Sequence, residues 1–372
     1  MRLCYAGVMM HVSGTNDHHN SSHGPEYGPD TSEYIALAAP SAEDERLRTV
    51  FAAYWPAYEK WFLREGDAKR PTYAECKRAF REFMPELTPL YDTLCETLDA
   101  GDAAARFLGL YRPTPFMTGC SQAVWIGSPS NPEAAKAGGT DPEREIALVR
   151  NYDYAPDLFE GINLLSAWTG PRIIGMTDCF WGLLDGMNEH GLAVALAFGG
   201  RKAVGDGFAI PLILRYILET CRTTEQAVDV LKRVPSHMAY NVLIVDRQAN
   251  HATVQIAPDR ETRVLNALAC TNHQGEIEWQ EHAQLTQTEE REQYLLDVLD
   301  QPSENLPVLV DRFFHPPLYM TGQFRKWCTL YTAVYCPTDG TSQYLWPHER
   351  WDQIFDDFTE RGEVDALTAA TE

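Results

Sequence analysis

The chain has 372 residues, with 31 Lys and Arg against 53 Asp and Glu, a formal charge of −22. That balance argues against a nucleic-acid or anionic-membrane surface, since phosphate binding needs a positive field. Hydrophobic residues make up 44% and charged residues 23%, the proportions of a globular chain rather than a disordered one, and the length allows two domains or one large one.

The first residues, MRLCYAGVMMHVSG, hold one Arg, a very short apolar stretch and no small-residue cleavage signature, so no secretory signal is read there. Residues 1–40 are expected to be a disordered leader, because 11–40 are rich in His, Ser, Asn, Gly and Pro and lack periodicity. His18, His19 and His23 have no rigid frame around them, and no metal is assigned to them. From Ser41, read as a helix N-cap, SAEDERLRTVFAAYWPAYEKWFLREG carries apolar and aromatic residues at helical spacing. Further helix follows in TYAECKRAFREFMPELTPLYDTLCETLD, broken near Pro85 and Pro89, and in AAARFLGLY. Residues 41–119 therefore read as a helical presegment that closes on the proline-punctuated stretch YRPTPFMTG.

Past Gly119 the texture becomes β-type: AVWIG, IALVRNYDY, GLAVALAF, NVLIVDR, HATVQIA and ETRVLNALACTN are short, mostly apolar runs between turn residues. The stretches 211–234 and 288–301 are predicted amphipathic helices, and WCTLYTAVYCPTDGTSQYLW a strand pair around Pro-Thr-Asp-Gly. GSPSNPEAAKAGGTDPERE, at 127–145, reads as a surface loop that could serve as a lid. No apolar run nears 18 residues, GLAVALAFGG being the closest approach, so no membrane span is expected.

Several chemistries are missing. There is no GxxxxGK[ST], no strand-linked GxGxxG, no HExxH, no EF-hand loop and no GxSxG. No cofactor and no metal are expected. The nine cysteines form no CxxC pair, which disfavours a zinc knuckle or a dithiol redox protein, and reduced thiols in the cytoplasm are the default. What remains is cysteine chemistry at Thr118-Gly119-Cys120-Ser121-Gln122, where helical chain gives way to β chain. A lone Cys is commonly a small buried hydrophobe. A cut between Gly119 and Cys120 would instead place a thiol and a free α-amine on one residue. An α-amine has a pKa of about 8 and can act as base for its own side chain near neutral pH.

In order along the chain come Gly119-Cys120-Ser121, Arg150-Asn151-Tyr152-Asp153, and Asp185-Gly186-Met187-Asn188-Glu189-His190-Gly191-Leu192. Thr271-Asn272-His273, a helix bearing Arg291, and Cys328-Thr329-Leu330-Tyr331 follow. Over roughly 120–360 this set resembles the choloylglycine hydrolase and penicillin acyltransferase group of N-terminal-nucleophile (Ntn) hydrolases, in particular its autoproteolytic acyltransferase branch. The resemblance implies an α+β fold, a four-layer αββα sandwich with antiparallel sheets, divided into the leader, the presegment and a catalytic body over 120–372. It implies a cysteine amidohydrolase or acyltransferase that cuts itself between Gly119 and Cys120 and then acts on a linear, non-peptide amide.

In that scheme Cys120 is the nucleophile. Asp153 orients the new α-amine, and Arg150 keeps Asp153 ionised and favours the thiolate. Asn272 supplies one oxyanion donor and the backbone N–H near Phe198 another, with Arg291 close to the site. Arg150 and Asp153 are three apart and would face opposite sides of a flat strand, so their cooperation requires a bend near Asn151. His273 is read as a supporting or structural residue. Gly186 and Gly191 are expected to turn the chain, with Asn188 in a left-handed or bridging position. Relatives that hydrolyse bile salts carry asparagine where this chain has Phe198, which weakens transfer of their specificity. The expected partner is a small-molecule N-acyl amide, with self-association left open and nucleic acid and membrane excluded. The rival is an uncleaved, catalytically silent version of the fold used for binding.

Overall fold

A computed structural model describes residues 34–127, 145–156, 159–301, 305–321 and 327–362. Residues 1–33 of the leader, with their histidines, and 128–144 of the insertion lie outside the described residues. The last residues read as leader belong to the fold: Ile35–Ala38 form strand β1.

Four helices follow, α1 (Glu45–Phe62), α2 (Tyr73–Phe83), α3 (Thr88–Thr97) and α4 (Asp102–Leu108). The cap of α1 is Asp44 rather than Ser41, its carboxylate accepting from the Arg46 N–H at 2.9 Å. The Ser41 hydroxyl accepts from Glu43 N–H instead and shapes the turn before the helix. Thr72 and Glu75 close a reciprocal capping box on α2. Between α2 and α3 the chain makes a single 3₁₀ turn at Pro85–Leu87, where the missing proline N–H costs nothing.

The strands that follow are β2 (Gly119–Ile126), β3 (Ile146–Tyr154), β4 (Ile162–Ser166), β5 (Ile173–Asp178), β6 (Gly182–Asn188) and β7 (Leu192–Phe198). Helices α5 (Ile210–Thr220) and α6 (Thr224–Arg233) precede β8 (Tyr240–Asp246), β9 (His251–Ala257), β10 (Arg260–Leu265) and β11 (Ala269–Cys270). Helices α7 (Gln280–Thr286), α8 (Thr288–Leu299) and α9 (Leu306–Arg312) lead to β12 (Cys328–Cys336), β13 (Thr341–Trp346) and β14 (Glu349–Ile354). The predicted helix at 211–234 is two helices: the chain breaks at Cys221, and the Thr223 hydroxyl caps the second by accepting from Gln226 N–H.

Eight strands form one sheet in the order β1-β4-β5-β6-β7-β8-β9-β10, and six form the other in the order β11-β2-β3-β12-β13-β14. Pairings are antiparallel except β1 with β4, which is parallel. Strands β2 and β3 face β7 and β8, so the sheets stack. Helix α5 covers β5, β6 and β7 from outside, α6 covers β8 to β10, and α8 covers β2 and β11. This is the expected αββα sandwich. It explains why GLAVALAF is apolar throughout: β7 is buried on both faces, between the second sheet and α5.

Two local readings change. ETRVLNALACTN is two strands in different sheets, Leu265 pairing with Thr253 and Cys270 with Gln122, so the chain crosses the sandwich just before Asn272. Gly186 lies inside β6 rather than at a turn. A Cβ there would stand 2.9 Å from the Ile174 carbonyl, because β5 approaches too closely for a side chain. Gly191 does turn the chain, at φ +78°. Asn188 is not left-handed; its amide donates to the Leu218 and Cys221 carbonyls and ties the β6–β7 turn to the end of α5.

Candidate active site

Register decides what surrounds Cys120. On adjacent antiparallel strands, directly paired residues share a face. Cys120 pairs with Tyr152 and Gln122 with Arg150, so these four side chains point between the sheets. Gly119 pairs with Asp153 and Ser121 with Asn151, so these point outward, towards α8. Strand β3 runs straight through this stretch, without the bend that cooperation of Arg150 and Asp153 would need. The irregularity lies opposite, in β12, between Thr329 and Tyr331.

Arg150 and Asp153 therefore belong to two separate ion pairs, one on each face of β3. Inside, the Arg150 guanidinium donates to Asp185 Oδ2 at 2.7 Å, to the Leu184 carbonyl at 2.8 Å and to Cys120 Sγ at 3.1 Å. Its charge lies 4.9 Å from the Tyr152 ring centroid and 5.9 Å from that of Tyr331. Outside, Arg291 from α8 donates to Asp153 Oδ2 at 2.9 Å, to Ser121 Oγ at 3.0 Å and to Asn272 Oδ1 at 2.8 Å. The Thr329 hydroxyl donates to Asp153 Oδ1 at 2.7 Å. All four charged side chains are essentially inaccessible to solvent.

Asn272 bonds to Arg291 of the outer pair and meets the inner pair only through Cys120. Its Oδ1 accepts from the Cys120 backbone N–H at 2.8 Å, and its amide donates to the Phe198 carbonyl at 3.1 Å and the Thr118 carbonyl at 3.3 Å. In the intact chain the backbone nitrogen of Cys120 is thus held by Asn272. Gly119 is pressed against Asp153. A Cβ at that position would meet Trp327 Nε1 at 2.9 Å and Asp153 Cβ at 3.0 Å, so any side chain here would force those neighbours to shift. His273 points to α8, with Nδ1 at 3.0 Å from the Thr288 hydroxyl and Nε2 at 3.2 Å from Glu292.

The Cys120 thiol is fully buried. Burial pushes it above the usual thiol range, and Arg150 offsets part of that rise. Burial also raises the Asp153 carboxyl, against the pull of Arg291 and Thr329. Two crevices open elsewhere, one of about 490 Å³ beside Ser41, Glu86 and Trp168 and one of about 190 Å³ beside Cys270 and His273, and Cys120 lines neither. Phe198 contributes a buried ring that meets His282 edge-on at 5.1 Å. Among the described residues no group of three or more His, Cys, Asp or Glu is placed to hold a metal, and no helix is long and apolar enough to cross a membrane. The eight cysteines described are all unpaired.

Sequence reasoning placed Cys120, Arg150, Asp153, Asn272, Arg291 and Phe198, and these do come together. It missed Asp185, Ser121 and Thr329 as members of the cluster. One signal was visible: Asp185 is a carboxylate in an otherwise apolar β run, and such a residue is rarely buried without a partner.

A second buried acidic corner lies nearby, at the turn between β5 and β6. Glu160 accepts from the Tyr58 hydroxyl of α1, from Thr177 Oγ1 at 2.7 Å and from Phe180 N–H. Asp178 accepts from Cys179 N–H at 2.9 Å. Cys179 and Phe180 both hold left-handed backbone, at φ +54° and +72°, a strained arrangement for non-glycine residues. Phe159, beside Glu160, packs on Tyr152 with ring centroids 5.7 Å apart, which connects this corner to the Cys120 site. Burial raises Glu160, and burial beside Glu160 pushes Asp178 up to about 8.

The family model for acyl-coenzyme A:6-aminopenicillanic acid acyl-transferase matches residues 140–351. Among solved structures the chain is similar to a mutant of the conjugated bile acid hydrolase from Clostridium perfringens, at 13% identity and a TM-score of 0.39, covering 66% of this chain and 96% of that one. It is also similar to penicillin V acylase from Agrobacterium tumefaciens, at 16% identity and a TM-score of 0.43, covering 64% and 87% respectively. No curated protein matches.

Proposed function

Because the chain belongs to the acyl-coenzyme A:6-aminopenicillanic acid acyl-transferase family, we propose that it is an Ntn-type amidohydrolase or acyltransferase with Cys120 as nucleophile, matured by its own cleavage of the Gly119-Cys120 bond. The family match begins downstream of Cys120, so the nucleophile rests on geometry. The observation that carries it is convergence on one residue: Arg150 meets the Cys120 thiol at 3.1 Å while Asn272 holds its backbone N–H at 2.8 Å.

In maturation Cys120 Sγ attacks the Gly119 carbonyl carbon, the Gly119 C–N bond breaks, and the nitrogen leaves as the Cys120 α-amine. Water then hydrolyses the thioester and frees the Gly119 carboxylate. Once Thr118 and Gly119 withdraw, the Asn272 amide hydrogen now given to the Thr118 carbonyl is free to serve a substrate oxyanion, beside the Phe198 backbone N–H. Such a donor contributes about 3–4 kcal/mol in comparable sites. With Gly119 gone, Asp153 faces the new amine. The α-amine takes the thiol proton and passes it to the leaving amine of a linear N-acyl amide. Water, or a second amine, resolves the acyl-thioester.

Intact mass measurement of wild type beside Cys120→Ala tests maturation. The expected wild-type fragments are 119 and 372 − 119 = 253 residues, with the variant uncut. A single full-length mass in both sinks autoprocessing and favours the silent binding fold. Incubation with simple N-acyl amides, followed by peptide mapping, should place the acyl group on Cys120.

A further inference from the structure

Arg150 has two tasks that pull it apart. It must reach Cys120 Sγ, yet a guanidinium buried between two sheets needs a counter-charge and a fixed direction. Asp185 provides both, and it does so from the opposite sheet: Arg150 is on β3 and Asp185 on β6. The Asp185 carboxylate is in turn held by two phenols of β12. Tyr331 donates to Oδ2 and Tyr335 to Oδ1, and the Tyr335 and Tyr344 hydroxyls lie 2.8 Å apart. With Arg150 on Oδ2 as well, the carboxylate has little freedom to turn. The guanidinium it holds has Nη2 directed at the thiol.

We infer that Asp185 is a positioning residue that aims Arg150 at Cys120 and limits how strongly its charge favours the thiolate. The inference rests on Cys120 being the nucleophile. The charges around the thiol cancel: Arg150 against Asp185 inside, Arg291 against Asp153 outside. The other titratable groups facing the thiol are Tyr152 on its own sheet, Tyr240 of β8 and Cys270 of β11, all electrically neutral when protonated, and, once the chain is cut, the α-amine of Cys120, which wild type and both variants carry alike. Facing Asp185 are Arg150, Tyr331, Tyr335 and Tyr344. Removing the Asp185 charge therefore leaves the thiol under a net positive field while loosening the direction of Arg150. Removing one phenol leaves more of the carboxylate's charge facing Arg150. The two changes should move thiol ionisation in opposite directions.

The test is the rate of Cys120 alkylation by iodoacetamide against pH, read by peptide mass in the full chain as it matures, for wild type, Asp185→Asn and Tyr331→Phe. Asp185→Asn is expected to lower the pH midpoint by about one unit and to cut turnover of an N-acyl amide about tenfold or more. Tyr331→Phe, which keeps the ring against Arg150, is expected to raise the midpoint by less. A structural role alone would alter stability and leave both midpoints in place. Unmoved midpoints, or a raised one in Asp185→Asn, overturn the inference. If Asp185→Asn fails to fold, the direction of the Tyr331→Phe shift decides. Failure of the parent reading looks different: wild-type Cys120 then alkylates no faster than buried Cys270, and the role of Asp185 falls with it.

Discussion

Two buried corners of this molecule carry carboxylates, and they are neutralised in opposite ways. At Cys120, Asp153 and Asp185 each meet an arginine, and Asn272 binds both Arg291 and the Cys120 backbone N–H. At the β5–β6 turn, Glu160 and Asp178 meet hydroxyls and backbone N–H groups, and among the described residues no Lys, Arg or His contacts either. Two like charges without a cation favour retention of a proton, whereas a matched set of cations and anions stays ionised. The first corner holds fixed charges around the Cys120 thiol. The second is built to hold protons and a strained turn against α1.

The largest expected effect comes from breaking a pair in the first corner. Arg150→Leu leaves Asp185 buried without its cation and should cost about 3–5 kcal/mol in denaturant unfolding, as well as abolishing Cys120 reactivity. The same kind of deletion in the second corner should do the reverse, so a comparable loss in Asp178→Asn would break the contrast. Next comes Gly119→Ala, whose added methyl meets Trp327 and Asp153. It should cost about 1–3 kcal/mol and slow the cut at 119–120, both readable from melting and a time course of intact mass.

The pH dependence sharpens the contrast further. Asp178, raised to about 8, keeps its proton in the folded state where the unfolded chain has lost it. Its stabilising effect is present below the unfolded carboxyl pKa of about 3.9 and is lost as pH rises through about 8. Melting temperature should fall over that window in wild type, and the fall should be shallower in Asp178→Asn. A slope unchanged by the substitution would assign the pH response elsewhere. Smallest is Tyr58→Phe, which removes one hydroxyl from Glu160 and should cost about 1 kcal/mol.

Much of this was legible in the sequence where one strand or helix carried the information. The alternation of helical and β texture pointed to layered sheets with helices, and the order of the short motifs carried the family resemblance that implied the αββα sandwich and most of the residues that meet at Cys120. What was not legible depends on register between strands. The spacing in Arg-Asn-Tyr-Asp sets its ends on opposite sides of a flat strand, but nothing in it says that the strand stays flat or that the partners on either side are Asp185 and Arg291, which come from distant elements. The break at Cys221 was hidden because amphipathic spacing continues across it. ETRVLNALACTN concealed a crossing between sheets for the same reason: apolar residues suit either sheet, and only pairing decides.

Strand β1 has a consequence for a chain cut at 119–120. Ile35–Ala38 close one edge of the eight-stranded sheet, pairing with β4 on one side, while Ala36 exchanges both backbone hydrogen bonds with Arg361 on the other. The piece upstream of the cut is therefore stitched to residues far downstream of it. Losing it would bare the edge of β4, a row of open N–H and C=O groups of the kind that recruits other chains. Retention of the first 119 residues would keep the cut particle from aggregating.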